Sequence, residues 1–122
     1  LKSACQSEPD ARKRVDIPEL MAITDFAPAA ATRPTLRAAP GGLTQYRSPA
    51  AEFALLSGEI PVPTPVVQSG PRIVLCLSGT LTLTTDLGER LDLAPGQSVF
   101  CPHGVGALQL AGTGSVVVAY VP

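Results

Sequence analysis

Few side chains in this sequence of 122 residues could do chemistry, and they are dispersed. A metal centre needs three or four His, Cys, Asp or Glu side chains converging on one point. The single histidine, His103, stands between Pro102 and Gly104 and reads as a turn residue without a partner. Cys5, Cys76 and Cys101 show no metal-ligand spacing, and the last two lie in apolar runs that read as strands with buried, inert thiols. An odd number of cysteines with no disulfide framework argues for a reducing compartment, the cytoplasm. Asp86, Glu89 and Asp92 could form an acid/base pair of carboxylates, but they cluster about a hairpin turn and read as a solvated tip. Arg72 and Arg90 could meet an anion, yet nothing in the spacing brings them together. Ser57, Ser69 and Ser78 lack a G-x-S-x-G setting, and Gly41-Gly42 opens no helix after a strand. No catalytic, cofactor-binding or metal-ligating residue is therefore assigned.

Composition bounds the elements that would position such groups. A chain of this length forms one domain and buries about two thirds of its unfolded surface. Aromatic residues are 4% and Trp is absent, so the core must be built from Val, Leu, Ile and Ala. Nine basic residues against ten acidic ones leave no basic patch for nucleic acid. Arg12-Lys13-Arg14 reads as a solvated flank. No apolar run approaches the length of a membrane span, and the first residues, LKSACQSEPDARKR, have no apolar signal core. The absence of an initiating Met suggests a mature product or a piece of something longer.

Residues 1–14 read as a flexible lead-in. Within 15–26 the spacing predicts a helix over Ile17–Thr24, with Asp16 as N-cap, Pro18 in the first turn and Glu19 at the capping-box position. So short a helix must pack on something to persist. Residues 27–42 are rich in Pro and Ala and read as an extended connector. From 43 to 122 the chain changes to short strands: LTQYR, EFALLSGEI, RIVLCLSG, TLTLTT, ERLDLAP, QSVFCP, GALQLAG and SVVVAYV, punctuated by Gly and Pro. The Pro-rich PVPTPVVQSGP can pair only at a sheet edge. In TLTLTT, Leu81 and Leu83 face inward and the threonines outward. The expected buried set also contains Leu75, Leu77, Leu91, Leu93, Val99, Val116 and Val118. The fold class is all-β, a sandwich or barrel of jelly-roll type with one short helix.

PRIVLCLSGTLTLTTDLGERLDLAPGQSVFCPHG, with its "VL-x-x-G" turn, "L-x-L-x-P-G" and closing "P-x-G", resembles the cupin barrel. Metal cupins place His-x-His, then Glu, before the first turn and a further His beyond the last. Alternate strand residues point to one side, so such a set converges. Alignment on Gly79 and Pro102-His103-Gly104 puts those ligands at Pro65, Val67, Arg72 and Ala107, none with donor chemistry.

KRVDIPELMAITDF resembles the "K-H-V-D-V-P-E-L-L" helix of the type I mannose-6-phosphate isomerases. The strand block fits that family's closing "G-P-x-I-L-x-x-x-x-G" and "L-x-L-x-x-G-x-S-x-F-x-P", and EFAL fits a strand before it. The resemblance runs from Lys13 to Val121. It implies a C-terminal, non-catalytic cupin-like domain, with zinc and sugar phosphate held by the N-terminal half of the parent polypeptide. That half would be this domain's partner, and the isolated chain would be inactive. The family's flanking "R-x-G-L-T-P-K" would place its arginine on Ser7 and its lysine on Lys13, with Ala11-Arg12 replacing Thr-Pro. An active-site role for Lys13 arises only in a complete enzyme. The alternatives are a metal-free, stand-alone module that binds a small molecule or sugar at the barrel mouth, and a small enzyme in its own right.

Overall fold

A computed structural model describes residues 2–3, 16–66 and 69–122. Val67 and Lys13, both singled out above, lie outside the described residues, as do Cys5, Ser7, Ala11 and Arg12.

Eleven strands and one helix are described: β1 (Lys2–Ser3), α1 (Ile17–Ile23), β2 (Thr35–Ala38), β3 (Thr44–Arg47), β4 (Ala54–Glu59), β5 (Thr64–Val66), β6 (Arg72–Cys76), β7 (Thr80–Thr85), β8 (Arg90–Leu93), β9 (Ser98–Cys101), β10 (Leu108–Thr113) and β11 (Ser115–Tyr120). They form two antiparallel sheets, ordered β1-β9-β6-β11-β4-β3-β2 and β5-β10-β7-β8. This is an all-β, cupin-like jelly roll with a short helix before it. The Pro-containing β5 lies at a sheet edge, where a missing N–H costs no ladder bond.

Asp16 caps α1 as its sequence implies, its Oδ1 accepting from the Glu19 N–H at 3.1 Å. The helix ends one residue short of Thr24, and none of its residues is buried. β2 lies within the Pro- and Ala-rich stretch read as a connector. All four of its residues are exposed, so no alternation marks it, and it joins only as an edge against β3.

The core lies between the sheets. Leu81, Leu83, Val99, Val116 and Val118 are fully buried, Leu93 nearly so, and Leu91 is half-buried. Leu75 and Leu77 correct the expected core: Leu75 is half-buried, and Leu77 is 49% exposed. β6 instead turns Arg72, Val74 and Cys76 inward. Its residues are apolar apart from Arg72, so alternation alone could not tell its two faces apart, and a one-residue phase error swaps them all. Thr85 is another departure, buried at the end of β7, where its Oγ1 accepts from the Glu89 N–H at 3.1 Å.

Leu83 lies opposite Leu110 on one side and Leu91 on the other. Leu83→Ala should cost about 2–5 kcal/mol, since the flanking strands cannot collapse into the void. Urea melts check this; a loss below about 0.5 kcal/mol would mean a surface position.

Candidate functional site

The described residues at the positions that the sequence alignment matches to metal-cupin ligands form no metal-binding group. Pro65 projects outward from edge strand β5, between the buried Thr64 and Val66. Ala107 is exposed just before β10, its N–H donating to Asp86 Oδ2 at 3.0 Å. His103 lies exposed in a short 3-10 turn, His103–Val105. Among the described residues no group of three His, Cys, Asp or Glu is placed to hold a metal ion.

Of those positions that are described, Arg72 is the one that enters the barrel. Inward-facing on β6, it is 1% exposed. Its guanidinium crosses from β6 to the segment between β9 and β10, where Nη2 donates to the Gly106 carbonyl at 2.5 Å. Burial pushes its pKa down, against the opposing pull of Cys101 and the Asp86 carboxylate. A guanidinium has five donors and no acceptor, and it stays charged. At the place of a ligand glutamate it offers a divalent cation repulsion in place of a donor. Asp86 binds the same segment from the other sheet through the Ala107 N–H. Together the two residues tie the segment at 106–107 to both sheets by hydrogen bonds, forming a clasp.

The thiols of the larger sheet are reserved: Cys101 lies opposite Arg72, and Cys76 lies at the far end of β6. Cys76 and Cys101 are free and buried. Burial raises both pKa values; backbone hydrogen bonds oppose the shift at Cys76, and the Arg72 cation opposes it at Cys101. Both thiols therefore favour the protonated, weakly nucleophilic form.

The remaining candidates stay apart. Arg90 sits on the other sheet, exposed, with Nε 3.8 Å from Asp92 Oδ1. Asp92 also accepts from Thr82 Oγ1 at 2.6 Å across the β7–β8 pair. Asp86, Glu89 and Asp92 are exposed, as a hairpin tip should be. Sequence reasoning missed the burial of Arg72. The available signal was its phase with Val74 and Cys76, which a uniformly apolar strand obscures.

The chain spans a little over a quarter of the solved enzymes that share its fold. A mannose 6-phosphate isomerase from Salmonella typhimurium, solved with substrate (f6p) and zinc, matches with a TM-score of 0.65 and 30% identity, over 90% of this chain and 28% of its own. An alanine mutant of the Salmonella phosphomannose isomerase matches equally well over 29% of its own length. A zinc-bound mannose 6-phosphate isomerase gives a TM-score of 0.64, with the same identity and 28% of its length covered. No curated protein matches. The model of the mannose-6-phosphate isomerase cupin domain matches residues 44–121, the whole run from β3 to β11. With that match over most of its length, the chain belongs to the mannose-6-phosphate isomerase cupin-domain family.

Proposed function

We propose that this chain is the C-terminal, non-catalytic cupin domain of a mannose-6-phosphate isomerase, a longer enzyme that interconverts mannose 6-phosphate and fructose 6-phosphate. Its role is to pack against the catalytic part of the same polypeptide and brace it. The observation that carries this reading is Arg72: a buried guanidinium stands where a metal cupin would carry a glutamate ligand. Pro65 and Ala107 add no donor. Metal-assisted isomerisation needs a Lewis acid and a poised base, and no group of His, Cys, Asp or Glu among the described residues is placed to hold a metal ion. Zinc and sugar phosphate are then held by the catalytic part. The small share of the solved isomerases that the chain spans supports this division. No described helix is long and apolar enough to cross a membrane. The two buried free thiols suit a reducing cytoplasm.

Elemental analysis tests the division of labour. After dialysis against a weak chelator, the 122-residue chain should hold no stoichiometric zinc, whereas the longer polypeptide should hold it. A tightly held metal in the short chain would contradict the reading.

A further inference from the structure

The outer face of the larger sheet carries a row of apolar side chains at one register level. Phe100 on β9 pairs with Ile73 on β6, Ile73 with Ala119 on β11, and Ala119 with Leu55 on β4. The row continues to Tyr46 on β3 and Leu36 on β2. Six strands about 4.8 Å apart make it about 24 Å long. Phe100, Ile73 and Leu36 are 43%, 44% and 59% exposed. The phase of β6 produces this row: with Arg72 and Val74 inside, Ile73 and Leu75 must face out. A groove of about 470 Å³ lies over Tyr46, Phe53 and Leu55, and one of about 240 Å³ over Phe53, Ile73 and Phe100. An antiparallel sheet that faces water normally alternates apolar-in with polar-out, and a contiguous apolar patch marks an interaction surface.

We infer that this row is where the domain docks onto the catalytic part of its own longer polypeptide, an inference that rests on the function proposed above. Two observations select that occupant. The chain spans only 28% of the Salmonella enzyme it resembles, so most of such a polypeptide is available to cover the row. Helix α1 is a second uncovered apolar element: Ile17, Leu20 and Ile23 are 64%, 51% and 72% exposed. Seven residues of helix are marginal without packing. A large partner that is covalently continuous with the chain covers both surfaces at once.

The test is the pair Ile73→Lys and Phe100→Lys, made together in the 122-residue chain and in the longer polypeptide. Leu87→Lys, at a β7–β8 turn residue that is 78% exposed, is the control. The double variant should lower the melting temperature of the longer polypeptide by about 5 °C or more. It should lower that of the 122-residue chain by less than half as much, that smaller loss coming from two lysines set directly opposite across the β6–β9 pair, and the control should shift neither. An equal loss in both, or a loss in neither, would overturn the inference. So would a dimer of the 122-residue chain in sedimentation equilibrium that the double variant splits, because a second copy would then be the occupant. Isomerase activity of the wild-type longer polypeptide separates the two claims. An inactive protein with the differential shift intact loses the functional reading and keeps the docking surface; an active one without the shift does the reverse. A native product no longer than these 122 residues would overturn both.

Discussion

Gly79→Ala is expected to destabilise the domain by about 3–5 kcal/mol, as much as a large core truncation and a large share of the stability of a domain this size. Gly79 sits in the turn between β6 and β7, with φ at +73°. There a Cβ costs about 1–2 kcal/mol from local sterics alone. A collision adds more: an added Cβ would lie 1.8 Å from the Thr113 carbonyl oxygen. That oxygen is backbone, held in the β10–β11 turn, and it cannot swing aside. The fold explains the crowding. β6–β7 and β10–β11 each pass from one sheet to the other, and the two crossings lie against each other. The Ser115 N–H donates to the Ser78 carbonyl at 3.2 Å, and the Ser78 and Ser115 hydroxyls are 2.7 Å apart. The Ile60 N–H, where the chain leaves β4, donates to the Gly114 carbonyl at 2.9 Å. Gly114 is the reciprocal contact, since its added Cβ would meet the Ser78 oxygen at 1.9 Å. Denaturant melts check the prediction, with Gly88→Ala as control. Gly88 shares a positive φ but has open space around it, so only the local strain should appear, about 1–2 kcal/mol. Equal losses at the two positions would mean that the crossing is not close-packed.

Arg72→Ala should cost about 3–5 kcal/mol, combining a cavity beneath β6 with a Gly106 carbonyl deprived of its donor. Arg72→Met separates these two effects. Methionine refills much of the volume and carries no charge, leaving the lost hydrogen bond, about 1–3 kcal/mol. Replacement of a buried ionic group by a well-packed apolar one can even be neutral. The Met variant should therefore stand well above the Ala variant in urea melts. If Met falls as far as Ala, the charge and hydrogen bonds of the guanidinium, and not its volume, carry the stabilisation. If Ala loses under about 1 kcal/mol, Arg72 does not brace the barrel at all.

The legibility of the fold varied with the chemistry of each strand. β7 was readable because threonines alternate with leucines, and Leu81 and Leu83 lie inside as that pattern requires. α1 was readable from Asp16, Pro18 and Glu19, whose roles are local and need no tertiary partner. β6 was readable as a strand but not in phase, because apolar residues occupy both its faces. That ambiguity hid two features at once: the burial of Arg72, and the outward row containing Ile73. β2 was invisible because an exposed edge strand has no buried side to impose a pattern. The motif glycine at 79 was recognisable as punctuation, whereas the backbone it touches belongs to a turn more than thirty residues away in sequence. The donor-poor cupin positions were legible as residue types. The placement of the described ones required the sheets: Pro65 points out, Arg72 points in, and Ala107 lies exposed before its strand.

The central claim is that this barrel braces an isomerase without performing its chemistry, and a coupled assay of mannose 6-phosphate conversion tests it most directly. The 122-residue chain, the longer polypeptide, and its separated halves alone and mixed should be compared at equal concentration. The account predicts no turnover by the chain, turnover by the longer polypeptide, and recovery from the halves only on mixing. Turnover by the 122-residue chain that persists through repurification would contradict it.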